Sequence, residues 1–373
     1  MDRSTAVGWT MAALTPPDRS LWLSEPRLRT GAGHYRDLVR SIVAGKGDRD
    51  RFAVAVPPDC DIELAGKAVS MVRDSASSPW SESLSVRRAL KDHDRALVLT
   101  SKGAHALALS SRVRSDGDLE RVAMLFHWPV RSRADWSLHR LARRARRSCV
   151  ALATTPTVAR SLRMIGWRRV REVRYPVIAP DRIPPPMQFS HVRVAGPLRF
   201  NKGLAAITEL VMRWVEREEA IRLYLQATPK HGRRHGRREG LLLDRIEAIA
   251  YRHLELRSAA LDRDRYLDGF HGAITLVAYD PAKFSDQVSG VSLDALLCGS
   301  PIIASEGTLA ADLVREFGAG EVVPYDDARA LDEAIHRVVH GWDQHSRRAR
   351  EAAEILAKRH QPRRFVEAWL TSD

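Results

Sequence analysis

Short β-type runs alternate with helical patterns along almost the whole chain, and this alternation limits the fold more than any other feature. It is the signature of βαβ units and parallel sheets. In the first half the runs fall at 21–24, 51–56, 95–101, 121–128, 149–155 and 170–177. The segment IAPDRIPPPMQ (178–188) then interrupts every regular pattern with four prolines, as a linker does. After it the alternation restarts at 191–198, 221–227, 254–259, 272–280, 301–306 and 320–325. A chain of 373 residues exceeds what one core of roughly 250 to 300 residues accommodates. The expectation is therefore an α/β protein of two Rossmann-like domains facing each other across a cleft. It divides into an N-terminal domain over 1–180, a linker over 181–190, a C-terminal domain over 191–358, and a segment 359–373 that returns to the N-terminal domain. Open parallel sheets bind ligands at the carboxyl ends of their strands, so function is sought in the strand-to-helix loops.

Composition narrows the classes further. Apolar residues make up 44% of the chain, enough to build real cores. Lysine and arginine number 60 against 46 acidic residues, a formal net charge of +14, which permits nucleic acid, anionic lipid or phosphorylated ligands. No nucleic-acid-binding module or aromatic stacking signature accompanies that charge, so no specific nucleic-acid partner is expected. Cys60, Cys149 and Cys298 match no zinc spacing and suit a reducing, cytoplasmic setting. No run reaches the roughly 18 apolar residues of a spanning helix.

The stretch DQVSGVSLDALLCGSPIIASEGT (286–308) carries the strongest chemistry. Asp286 and Asp294 stand around a turn at Ser289-Gly290, and a short helix starts near Val291. A helix N-terminus offers free N–H groups and a positive dipole end to a phosphate. Asp294, one turn along, can accept hydrogen bonds from a vicinal diol, and Asp286 can hold another polyol. Phosphate and two sets of hydroxyls together describe a sugar nucleotide.

This stretch resembles the acid-x7-acid signature of retaining glycosyltransferases with the GT-B fold, family 4 in particular, whose usual form is Glu-Gly-Phe-Gly-Leu-x-x-x-Glu-Ala-x-x-x-Gly-x-Pro. Asp286 and Asp294 occupy the acidic places, Ala295 follows, and Gly299-Ser300-Pro301 supplies the Gly-x-Pro. Both acids are one methylene shorter than Glu, and Gln287-Val288-Ser289-Gly290 replaces Gly-Phe-Gly-Leu. The resemblance implies that Asp294 holds the donor ribose, that Asp286 contacts the transferred sugar, and that Ser289, Gly290 and Val291 lie at the donor phosphates. AGPLRFNKGLAAITEL (195–210) is similar to the family's Gly-Arg…Lys-Gly segment, whose cations bind the donor diphosphate. Lys202 matches directly; Pro197 stands where the Arg is usual, and Arg199 is the substitute. SEPRLRTGAGHYRDLVRSIV (24–43) resembles the first strand-to-helix loop, with Gly31, Gly33 and His34 at the cleft. AMLFHWP (123–129) puts His127 where many members carry a His beside the donor sugar.

The implied activity is metal-independent transfer of a sugar from a nucleoside diphosphate to a glycan or lipid-linked acceptor, in cell-envelope or exopolysaccharide synthesis. No cofactor is expected. The rival readings are a sugar-nucleotide epimerase or hydrolase of the same fold, a non-catalytic donor-binding protein, a basic nucleic-acid-binding protein, and a manganese-dependent transferase built on one of three Asp-x-Asp triplets, Asp48-Arg49-Asp50, Asp262-Arg263-Asp264 or, above all, Asp59-Cys60-Asp61. Finally, RSRADWSLHRLARRARRSC (131–149) reads as a basic helix. Trp136, Leu138, Leu141 and Ala142 are partly buried on it, and Arg140, Arg143, Arg144, Arg146 and Arg147 face outward, a surface suited to the inner face of an anionic membrane.

Overall fold

The computed structural model describes residues 18–28, 34–58, 60, 69–74, 76–227, 236–259 and 261–371. In the first half the strands are β1 (Arg19–Ser24), β2 (Asp50–Val56), β3 (Val69–Arg73), β4 (Arg95–Val98), β5 (Val122–Phe126), β6 (Val150–Ala153) and β7 (Arg169–Glu172). They form one parallel sheet in the order β3-β2-β1-β4-β5-β6-β7. The second half contributes β8 (His191–Leu198), β9 (Leu223–Ala227), β10 (Leu254–Arg257), β11 (Ala273–Val277), β12 (Ile302–Ser305) and β13 (Gly320–Val323). Their order is β10-β9-β8-β11-β12-β13, the same winding as in the first sheet. Each is the doubly wound arrangement in which strand order reverses beside the first strand and opens a crevice at the carboxyl ends. All twelve runs expected from the sequence are strands, within a few residues at each end.

Central strands such as VAMLF (β5) and AITLV (β11) are buried at every position, because helices cover both faces of a parallel sheet. Alternate residues serve opposite faces. Thus Trp22, Ala53, Val98, Met124 and Phe126 pack in one core, while Leu21, Leu23, Phe52, Val54, Leu97 and Leu125 pack in the other. The second sheet divides the same way, with Val192, Val194, Ile274 and Leu276 on one side and Ala195, Val277, Ile302 and Ala304 on the other. The missed strand, VSMVR (β3), is an edge strand with no buried residue. Cys60, Cys149 and Cys298 are all buried and unbridged.

The chain end crosses back. The long helix Trp342–Arg359 buries Ala349, Ala352 and Leu356 in the second unit's core. The helix Pro362–Leu370 instead inserts Phe365, Val366 and Trp369 among the first sheet's residues, with the Trp369 ring 6.2 Å from Phe52. Arg171 ties this helix down by donating to Ala368 O at 2.8 Å and Thr371 O at 2.6 Å. At the crossing, Val177 N–H donates to His360 O at 3.1 Å, and His360 Nδ1 lies 2.7 Å from Tyr175 O.

The 131–149 segment differs from its sequence reading. It is two helices, Arg133–Leu141 and Arg143–Ser148, broken at Ala142. Buried His139, Ala142 and Ala145 form its inner face, whereas Trp136 is 41% and Leu141 63% exposed. Two of the five arginines do not face outward as free charges. Arg144 donates to the carbonyls of Ser110, Val113 and Arg114 and pairs with Asp116. Arg146 donates to the carbonyls of Ile165 and Arg140. The helix ends packed here leave backbone carbonyls that guanidinium groups satisfy.

Candidate functional site

Three parts of the C-terminal half converge at the carboxyl ends of its strands. The β8 strand leads through Arg199 into a single 3-10 turn, Phe200–Lys202, and then into the helix Leu204–Glu216. Gly203 permits that junction. Its φ is +80°, and a Cβ there would lie 2.5 Å from Ala278 O; any other residue would push the lysine turn away from β11. Lys202 Nζ lies 5.1 Å from the Tyr279 ring centre, and among the described residues it has no carboxylate partner. The exposed Arg199 side chain likewise has none.

The second part is the helix Gly290–Leu297. Ser289 caps it, its Oγ accepting from Ser292 N–H at 3.2 Å. Gly196 joins the two parts. A Cβ built on Gly196 would be 3.8 Å from Lys202 Nζ and 3.7 Å from Val291 Cγ2. The Lys202 ammonium and the first turn of the capped helix therefore flank one stretch of bare backbone, although 89 positions separate Lys202 from Val291.

The third part is the pair of carboxylates, and each is held by an arginine. Asp294 is 8% exposed and forms a forked pair with Arg263, Nη2 to Oδ1 at 2.8 Å and Nη1 to Oδ2 at 3.1 Å. Arg263 Nη1 also reaches Asp37 Oδ2 at 3.5 Å, in the first turn of the helix His34–Ala44 of the other half. Burial opposes the Arg263 charge, but Asp294 and Asp37 outweigh it and hold the guanidinium pKa above its ordinary value. Burial lifts the Asp37 carboxyl, Arg263 pulls it back, and the Asp294 charge lifts it again. Asp286 is bonded by Arg131, Nη2 to Oδ2 at 2.6 Å, and by Ser285 Oγ at 2.9 Å. Its carboxyl is raised by burial and lowered more by hydrogen bonds from Ser285, Arg131 and Thr157, ending below the usual range.

On the N-terminal side, His127 directly follows β5, half-buried, with its ring 5.5 Å from Trp128 and 5.9 Å from Tyr175. His34 opens the helix His34–Ala44. Gly31 and Gly33 lie outside the described residues, as do Asp59 and Asp61 of the Asp-x-Asp candidate. Of the other triplets, Asp50 is buried, paired with Arg19 at 2.8 Å and bonded by Gly47 N–H. Asp262 caps the helix Arg263–Asp268. Among the described residues no group of three His, Cys, Asp or Glu side chains could hold a metal.

Sequence reasoning missed Arg131 and Arg263. It also missed a buried polar group at the carboxyl ends of β1 and β4. There Ser24 Oγ donates to Glu82 Oε1 at 2.6 Å, Thr100 Oγ1 donates to Glu25 Oε2 at 2.5 Å, and His105 Nε2 lies 3.5 Å from Glu82 Oε2. Burial pushes the Glu82 carboxyl up to about 8 and the His105 imidazole down to about 4. No spacing in the sequence signals these contacts.

No protein-family model and no curated protein sequence matches the chain. Solved structures do. HepE from Anabaena, solved with UDP, is 13% identical with a TM-score of 0.67, covering 94% of this chain and 97% of its own; it has also been solved with UDP-glucose. Sucrose-phosphate synthase from Thermosynechococcus elongatus is 15% identical with a TM-score of 0.64, covering 91% and 94%. The trehalose-6-phosphate synthase OtsA is 12% identical with a TM-score of 0.68, covering 94% and 98%. The likeness runs through both sheets and nearly the full length of each partner, so the chain has the two-domain GT-B fold of these glycosyltransferases.

Proposed function

We propose that this chain is a metal-independent retaining glycosyltransferase, moving a sugar from a nucleoside diphosphate to a glycan or lipid-linked acceptor in cell-envelope or exopolysaccharide synthesis. The observation that carries the reading is the approach of Lys202 and Val291 to Gly196. An ammonium and a capped helix N-terminus flank backbone that a diphosphate can touch closely. When the glycosidic bond breaks, negative charge grows on the leaving phosphate, and preorganised donors there lower the barrier. Lys202 and Arg199 supply the cations, and the amides of Gly290 and Val291 add the dipole end of a helix.

In this reading Asp294 accepts from the ribose hydroxyls. Its fork with Arg263 leaves each oxygen a second lone pair. Asp286 and His127 orient the sugar. The acceptor oxygen attacks C1 on the face the diphosphate leaves, its proton passes to the departing phosphate oxygen, and the new C1–O bond keeps the original configuration. No side chain has to form a covalent intermediate. The ligands of the Anabaena structures make UDP and UDP-glucose the first probes to try.

The acceptor side is read from surface chemistry. Trp136 and Leu141 are exposed beside Arg140, whose guanidinium lies 4.7 Å from the Trp136 ring centre, and beside exposed Arg143 and Arg147. Aromatic, aliphatic and basic groups together suit the headgroup region of an anionic leaflet, where a lipid-linked acceptor is presented. Among the described residues no helix is long and apolar enough to cross a membrane, so contact would be peripheral. A thermal-shift screen of sugar nucleotides tests the whole reading, followed by mass spectrometry of products formed with a lipid and glycan extract. Stabilisation by a nucleoside diphosphate sugar and a hexose-sized mass gain on an acceptor are expected. Cleavage of the sugar nucleotide with no gain on any acceptor would instead favour hydrolase chemistry, and its conversion to an isomer of the same mass but different chromatographic retention would favour epimerase chemistry.

A further inference from the structure

Asp286 lies in a turn between the short helix Pro281–Phe284 and the capped helix Gly290–Leu297. A short carboxylate in a turn is a poor binding group unless something fixes it, since ordering it on binding costs affinity. Here a guanidinium from the opposite half fixes it. Arg131 Nη1 donates to Ala282 O at 2.6 Å, and Nη2 donates to Ser285 Oγ at 2.9 Å and Asp286 Oδ2 at 2.6 Å. Thr155 Oγ1, from the same half as Arg131, meets Asp286 O at 3.4 Å. One planar fork thus holds three acceptors of a single turn, which a lysine's point charge cannot reproduce.

Stability does not explain this arrangement well. The Arg131 side chain is 48% exposed, and an ion pair open to solvent to that degree contributes little to folding. Preorganisation does explain it. Arg131 follows His127 in the loop after β5 and reaches across to the acid, so both sides of the cleft meet at this one turn. The guanidinium also offsets the Asp286 charge, which would otherwise repel an anionic diphosphate nearby. Ser285, Arg131 and Thr157 together leave the carboxylate capacity for a further donor such as a sugar hydroxyl, because a carboxylate accepts about four hydrogen bonds.

We propose that Arg131 is a cross-domain positioning residue that fixes Asp286 for the transferred sugar, so that the sugar half of the donor site is complete only when the two domains are apposed. The proposal rests on the donor reading given above. It separates two halves of one ligand: Asp294 and Lys202 serve the nucleotide, and the Arg131-Asp286 pair serves the sugar.

Isothermal titration with UDP and UDP-glucose, and with GDP and GDP-mannose, tests it on wild-type protein, Arg131→Gln, Arg131→Lys and Asp286→Asn. For the pair that wild type binds, Arg131→Gln should weaken the nucleotide sugar at least fivefold while the bare nucleotide stays within twofold. Arg131→Lys should recover only part of the loss. Arg131→Gln combined with Asp286→Asn should be no worse than Asp286→Asn alone, since the two residues act through one contact. Equal weakening of nucleotide and nucleotide sugar, no weakening of either, or tighter binding of the nucleotide sugar would each overturn the positioning role. Failure of wild type to bind any of the four would overturn the donor reading itself, a result recognisably different from a variant-specific one.

Discussion

Asp294 and Arg263 share two hydrogen bonds of 2.8 and 3.1 Å, and this forked pair stands between the candidate nucleotide site and the helix that carries Asp37. Removing the carboxylate has two consequences. Asp294→Ala deletes charge-assisted bonds to ribose worth roughly 1.5 to 3 kcal/mol, so nucleoside diphosphate affinity should fall about tenfold or more. It also leaves a largely buried guanidinium with only the longer Asp37 contact, and melting should show a loss of about 3 kcal/mol in stability, the low end for breaking a buried pair. A folded variant with unchanged nucleotide affinity would remove Asp294 from the site.

Lys202→Ala should reduce turnover more than it weakens donor binding, because charge on the diphosphate increases as the bond breaks. A loss of roughly 100-fold in kcat is in the range of one such donor. EDTA should leave the rate nearly unchanged. Strict dependence on added manganese would return attention to Asp59 and Asp61.

The first sheet carries a pH dependence of its own. Burial is the main cause that lifts the Glu82 carboxyl to about 8, against the Ser24 hydrogen bond. A carboxyl raised on folding gives stability that is intact below the ordinary carboxyl range and is lost as pH climbs through about 8. Wild-type protein should therefore melt progressively lower between about pH 5 and about pH 8, and the dependence should level off above that. Glu82→Gln, which keeps shape and a hydrogen-bond acceptor, should flatten that slope in calorimetric melts. Parallel slopes for the two proteins would show that Glu82 does not titrate in this interval.

Much of this fold was legible because parallel strands buried on both faces must be continuous apolar runs, as in AITLV and VAMLF. Edge strand VSMVR escaped because only Val69 and Met71 pack partly against the core, and it carries no such run. The site was legible where it is local. Ser289, Gly290 and Val291 announce a capped helix, and the Lys202-Gly203 dipeptide announces a tight strand-to-helix turn. The arginines holding the two acids were not legible. Arg131 meets Asp286 across 155 positions, and Arg263 meets Asp294 across 31; only the fold brings them together. The same limit explains the basic segment, where composition does not show that Arg144 and Arg146 are spent on backbone carbonyls.

That distinction sharpens the membrane expectation. Binding to phosphatidylglycerol vesicles should be lost at high salt and in an Arg143→Gln/Arg147→Gln variant that melts like wild type. Arg144→Gln should instead lower the melting temperature, since it leaves the carbonyls of Ser110, Val113 and Arg114 without their donor. Equal flotation with neutral vesicles, or none at low salt, would contradict membrane contact through this face.

The central claim is that Lys202 and Asp294 form one nucleotide-sugar site, and calorimetric titration of the wild-type protein and the two alanine variants with UDP-glucose and GDP-mannose tests it most directly. The account predicts saturable 1:1 binding of at least one of them by wild type. It predicts binding about tenfold weaker in Asp294→Ala, and a smaller loss in Lys202→Ala. Binding of neither by folded wild-type protein, or equal affinity across all three proteins, would contradict it.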